Sequence, residues 1–222
     1  MSSELTAANG ESGPERQTPG ILFVVSSPSG GGKGTLINRV LEQVPNLAYS
    51  VSYTTRNPRP GEAEGREYFF LDQPAFERMI EQNEFLEWAC VHGKLYGTAL
   101  NQVTKQIGEG RDIILEVDVQ GAASVRKLIP EAVSIFILPP SFETLKQRLI
   151  DRGTDSTEEL DLRLRTAPEE LKDYSEFDYV VVNDDAVRAA SQLQAIIIAE
   201  RSRLARQRKQ VQQLVEAFVG AK

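Results

Sequence analysis

The sequence predicts an α/β fold with a parallel core sheet, and three observations predict it. Short apolar runs read as strands buried on both faces, helical patterns separate them, and one long stretch breaks the alternation as an inserted lobe would. The first run is residues 21–25 (Ile-Leu-Phe-Val-Val), followed by a glycine-rich loop. A helix is predicted from 33 to about 44, with Leu36, Ile37, Val40, Leu41 and Val44 at helical spacing and Pro45 ending it. Later runs are 113–115, leading into Glu116-Val117-Asp118; 133–138, closed by Pro139-Pro140; and 179–182, followed by Asn183-Asp184-Asp185. Helices are predicted over 122–129, 142–150 and 157–174. A last helix is predicted over 186–219, continuous or once broken, with Leu193, Ile197, Leu204, Val211, Leu214 and Phe218 as its apolar stripe. Residues 50 to about 109 are turn-rich and aromatic and read as a small mixed lobe. A second insertion, about 148–167, is unusually charged.

Composition narrows the function classes. The 32 acidic against 25 basic residues leave a net charge of −7, which argues against a broad nucleic-acid footprint but allows a local cationic pocket. One cysteine, Cys90, and one histidine, His92, exclude an internal disulfide and a zinc site built from Cys and His alone. No apolar run approaches the roughly 20 residues needed to span a bilayer. Residues 1–18 lack an apolar core segment and read as a disordered tail, not a secretory signal, so a cytoplasmic location is expected.

Ser27-Pro28-Ser29-Gly30-Gly31-Gly32-Lys33-Gly34-Thr35 lies between a buried strand and a helix, the context a P-loop requires. Glycines let successive amides turn onto a phosphate, the helix N-terminus adds a favourable dipole, and Lys33 brings a point charge to the outer phosphates. The loop departs from G-x-x-x-x-G-K-[ST] at two places: Ser27 stands at the first glycine and Gly34 at the hydroxyl position, with Thr35 one step later.

These residues, together with Ser52-Tyr53-Thr54-Thr55-Arg56-Asn57-Pro58-Arg59-Pro60-Gly61-Glu62, Tyr68-Phe69-Phe70, Phe85-Leu86-Glu87-Trp88-Ala89, Tyr96-Gly97-Thr98, Glu116-Val117-Asp118-Val119-Gln120-Gly121, Pro139-Pro140-Ser141 and Val182-Asn183-Asp184-Asp185, resemble guanylate kinase in order and spacing. The resemblance implies a P-loop NTPase three-layer fold over 19–208, with a parallel core sheet, an inserted mixed α+β GMP-binding lobe at about 50–109 and a helical lid at about 148–167. Residues 209–222 would be a helical extension.

Arg56 and Arg59 are three residues apart in a proline-braced turn, a spacing at which two guanidinium groups can converge on one phosphate; a solvated basic loop would carry the same residues. The resemblance implies that they hold the GMP phosphate with Tyr68 and Tyr96. It implies that Glu87 accepts from guanine N1–H and the 2-amino group, with Ser52, Thr98 and Asp118 lining the base. A surface glutamate is the other reading of Glu87. Residues 27–35 and Asn183 would bind ATP, although an Asn-Asp turn needs no ligand. Lys33, Arg56, Arg148, Arg152 and Arg163 would stabilise the phosphoryl group in flight. Arg165 reads as a surface ion-pairing residue. Mg²⁺ is the expected cofactor, with Glu116 and Asp118 in its outer sphere. Many members of the family have Asp at the place of Glu116.

The implied reaction is ATP:GMP phosphotransfer, with dGMP a candidate second acceptor, in purine nucleotide metabolism. No nucleic-acid or membrane partner is expected, and the chain is expected to be a monomer or homodimer. Two rival readings fit less well: a guanylate-kinase-like module that docks proteins without chemistry, disfavoured by Lys33 and the lid arginines, and a kinase acting on a sugar phosphate, disfavoured by Glu87, Ser52 and the intact T-T-R-x-P-R lobe.

Overall fold

The computed structural model describes residues 18–91, 93–153 and 156–221. His92 and residues 1–17, most of the expected tail, lie outside the described residues, as does the side chain of Arg152. Strand β1 (Leu22–Ser26) is buried along its whole length, as its apolar run requires. It feeds the phosphate loop and helix α1 (Lys33–Gln43), whose Leu36, Ile37 and Val40 face the core. Strand β2 (Leu47–Tyr49) follows. At three residues it is too short for any periodicity to announce it.

The inserted region begins with β3 (Ser52–Thr54) and β4 (Tyr68–Phe70), then helix α2 (Gln73–Glu81), β5 (Phe85–Val91), β6 (Lys94–Ala99) and α3 (Leu100–Gly108). Core elements resume with β7 (Asp112–Glu116), α4 (Val119–Leu128), β8 (Val133–Leu138), α5 (Phe142–Arg152), α6 (Thr157–Lys172), β9 (Tyr179–Val182), α7 (Ala186–Arg201) and α8 (Leu204–Gly220).

Strands β2-β7-β1-β8-β9 form one five-stranded sheet in that order, and every pairing is parallel. Apolar residues cover both faces. Phe23, Val25, Ile114, Ile135 and Ile137 pack with α1 and α7 on one side, and Leu22, Val24, Ile113 and Leu115 pack with α3 and α4 on the other. The expected three layers follow from this two-sided burial. The second sheet, β4-β3-β6-β5, is mixed: β3 pairs parallel with β4, while β6 pairs antiparallel with β3 and β5. Val103 of α3 belongs to the core cluster with Leu22 and Val24, so α3 packs on the core sheet.

The expected C-terminal stripe is corrected. Leu193 and Ile197 are buried on α7, but Leu204, Val211, Leu214 and Phe218 are exposed on α8. A turn at Ser202 and Arg203, where Arg203 takes ψ 134°, breaks the helical register. A stripe drawn on one continuous period is therefore two faces, and only the first meets the core. No helix among the described residues is long and apolar enough to cross a membrane.

Candidate active site

The carboxyl ends of β1, β7 and β9 open into a cleft of about 620 Å³ that reaches across to the second sheet. Ligand sites in open parallel sheets form at these strand ends. Residues 27–35, Arg148, Arg163, Asn183, Glu116 and Asp118 line the core end, and Ser52, Arg56, Arg59, Tyr68, Glu87 and Tyr96 line the other.

At the core end, α1 starts on Gly32 at φ 87° with no side-chain cap, so its first amides point at the cleft. That backbone conformation favours glycine. Lys33 Nζ is tethered across the loop to Ser27 Oγ at 3.2 Å. The loop is braced from behind. Asn183 Nδ2 donates to the Gly31 carbonyl at 2.9 Å, and Arg148 Nη2 donates to the Asn183 carbonyl at 2.8 Å. Asn183 thus holds the loop through its amide. Helix α6 reaches the same loop: Arg163 Nη1 donates to Ser29 Oγ at 2.8 Å, and Glu170 accepts from the Ser29 amide at 3.1 Å. Glu170 carried no sequence signal, because it lies 141 residues from its partner. Arg165 is confined to its own helix surface, where its Nε donates to the Asp161 carbonyl.

At the lobe end, the pleat does the sorting. Ser52 lies opposite Tyr68, Thr54 opposite Tyr96, and Glu87 opposite Thr98, so these side chains share one face of the second sheet. Tyr53, Phe69, Phe85 and Phe76 stack on the other face. Residues i and i+2 of a strand ordinarily share a face, which would place Phe85 beside Glu87. An irregularity between Phe85 and Glu87 shifts the register and separates them, the phenyl to the aromatic side and the carboxylate to the cleft.

Glu87 is buried. Burial pushes its carboxyl up to about 7; the Thr98 hydroxyl opposes the shift and the Asp118 charge adds to it. Asp118 caps α4, accepting from the Gly121 amide at 2.8 Å. Glu62, which no sequence signal singled out, organises the arginine turn. It accepts from Arg56 Nη2 at 2.9 Å and from the Arg59 amide at 2.7 Å. Burial alone would raise its carboxyl, but these donors outweigh that and hold it below the usual carboxylate range. The Arg56 guanidinium lies 5.3 Å over the Tyr68 ring. Tyr49, also missed in the sequence, donates to Glu116 Oε2 at 3.2 Å. Burial and the Glu116 charge push the Tyr49 phenol up. They push the Tyr68 phenol to about 12. Both phenols therefore stay protonated as donors at neutral pH.

The family model for guanylate kinase matches residues 20–200. The chain belongs to the guanylate kinase family. It is 48% identical over 200 residues to a guanylate kinase of Dechloromonas aromatica, covering 90% of this chain and 99% of that protein. It is 50% identical over 187 residues to one of Caldanaerobacter subterraneus, covering 84% and 91%. The crystal structure of guanylate kinase from Anaplasma phagocytophilum superposes with a TM-score of 0.73 at 34% identity, covering 86% of this chain and 90% of that one. This guanylate kinase family member thus joins a P-loop NTPase core to a second sheet across one cleft.

Proposed function

We propose that the protein transfers the γ-phosphoryl group of ATP to GMP, giving ADP and GDP. One observation carries the reading: a single cleft joins an amide-lined phosphate loop at one end to the buried Glu87 carboxylate at the other. The first suits a nucleoside triphosphate, and the second suits a base that offers two adjacent N–H donors, as guanine does and adenine does not.

Residues 27–35 take the ATP phosphates through backbone amides and Lys33, and Asn183 keeps the loop in shape. Arg56 and Arg59, preset by Glu62, hold the acceptor phosphate with the hydroxyls of Tyr68 and Tyr96. Ser52, Thr98, Glu87 and Asp118 receive the guanine. A phosphate oxygen of GMP attacks the γ-phosphorus, the bond to the β–γ bridging oxygen breaks, and ADP leaves with that electron pair. The acceptor is already ionised, so no general base is needed. Lys33, Arg56, Arg148, Arg152 and Arg163 would neutralise charge on the phosphoryl oxygens, and the lid would exclude water.

Magnesium fits the site as a water-bridged ion. A Cβ built on Gly34 would stand 3.9 Å from Glu116 Oε2, which leaves space between the loop and a carboxylate oriented by Tyr49. Among the described residues no group of three metal-ligating side chains forms a cage, so the ATP oxygens would supply the direct ligands, with Glu116 and Asp118 in the outer sphere. Bound there, the ion would offset the charge of the triphosphate. We read it as a cytoplasmic enzyme, monomer or homodimer, and the acidic net charge of −7 supports the absence of a broad nucleic-acid footprint.

Acceptor profiling with ATP·Mg tests the reading. GMP should be phosphorylated far faster than AMP or a sugar phosphate. Equal use of AMP would overturn the base assignment, and no ADP release with any acceptor would leave a binding module.

A further inference from the structure

Helix α4 contains a glycine that its own backbone does not require. Gly121 is buried in the first turn, and its φ lies outside the left-handed region where glycine is favoured. Alanine is the better helix former at such a position. What glycine supplies here is room. A Cβ at 121 would stand 2.8 Å from Glu87 Oε2, closer than real Cβ atoms approach a neighbour, with Val117 Cβ at 3.1 Å and Asp118 Oδ1 at 3.2 Å. Both carboxylates therefore crowd the point that a side chain at 121 would occupy.

Resting on the reading of Glu87 as the guanine-edge residue, we propose that Gly121 is a positioning residue for base selection: its missing Cβ holds open the space in which the Glu87 carboxylate lies against the first turn of α4. Glu87 belongs to the second sheet and Gly121 to a helix of the core. The close approach is thus where the core dictates the placement of a specificity group carried by the lobe. The shortest approach, the one below 3.0 Å, is to the far end of a flexible side chain, so the Glu87 carboxylate makes the larger move, while Val117 Cβ and the Asp118 carboxylate need give only a few tenths of an ångström. Displaced, the Glu87 carboxylate no longer spans both N1–H and the 2-amino group.

Steady-state kinetics of Gly121→Ala, Glu87→Ala and the double variant test this. In Gly121→Ala the GMP KM should rise about tenfold or more, the loss of one charged hydrogen bond, while the ATP KM stays within about twofold. Preference for GMP over IMP, which keeps N1–H but lacks the 2-amino group, should narrow. In the Glu87→Ala background, Gly121→Ala should add nothing to the GMP KM. An equal rise with and without the Glu87 carboxylate, or a parallel rise in the ATP KM, would mean a general distortion and overturn the proposal. A wild-type GMP KM in Gly121→Ala, with GMP weakened in Glu87→Ala, would overturn it and leave the role of Glu87 standing. An unchanged GMP KM in Glu87→Ala would remove the guanine-edge reading itself, and this inference with it.

Discussion

The two ends of the cleft are built by opposite means. The phosphate loop is a backbone device, with amides presented by a helix that starts on Gly32 and braces arriving from Asn183 and α6. The lobe end is a side-chain device, in which paired strands array Ser52, Tyr68, Tyr96 and Glu87 on one face and Glu62 sets the arginines. The difference teaches where tolerance lies. A backbone site fails when its turn cannot form or its one charge is lost. A side-chain site fails by degrees, one hydrogen bond at a time, and carries the selectivity.

The sharpest way to break this comparison is Lys33→Met. We expect kcat to fall about a hundred- to a thousandfold, the scale of losing a group aimed at transition-state charge, with GMP binding by calorimetry nearly unchanged. A comparable loss of GMP affinity would show that the two ends do not act separately. Glu87→Gln should do the reverse, weakening GMP about ten- to a hundredfold and ATP hardly at all.

A pH series sharpens the lobe side. Burial raises the Glu87 carboxyl to about 7, so below that pH a proton competes with guanine for the same oxygens. The GMP KM should climb as pH falls from 8 toward 6, approaching roughly tenfold per unit. Glu87→Gln should flatten the part of the profile that belongs to this carboxylate, leaving only titration of the GMP phosphate. The sign for stability is opposite. The folded state holds this proton more tightly than the unfolded chain, whose ordinary value is 4.5, so the ligand-free protein should lose melting temperature from this group as pH rises from 4.5 through about 7.

The smallest effect concerns the departure at Gly34. Its nearest neighbour for an added Cβ is Glu116 Oε2 at an ordinary 3.9 Å, so Gly34→Ser should fold normally and leave the magnesium requirement the same or lower. Glu116→Ala should raise the magnesium concentration for half-maximal rate several-fold, on the order of one water-bridged contact. A much larger effect of Thr35→Val on the same titration would make Thr35 the direct ligand.

The core was legible because its signals are local. A strand buried on both faces must be apolar throughout, and Leu22–Ser26, Val133–Leu138 and the glycine loop announce themselves within their own residues. The resemblance to the guanylate kinase motifs pointed to most of the groups that line the cleft, from Ser27 to Asn183. Helices α2 and α3 escaped individual prediction because each spans nine residues inside a turn-rich stretch. The C-terminal stripe misled because a two-residue turn resets helical phase without leaving a trace in the apolar spacing.

By itself, then, the sequence determined the parallel core and the phosphate loop, since burial and backbone conformation select residue types one position at a time, and its resemblance to a family proposed the site residues. Only the tertiary structure decided which groups meet. The shifted register after Phe85 turns Glu87 toward the cleft, Tyr49 reaches Glu116, Glu170 reaches the loop amide of Ser29, and the bare Cα of Gly121 makes way for a carboxylate from another sheet. The first is set by strand register and the other three are contacts between residues far apart along the chain, and none leaves a periodicity for a linear reading to find.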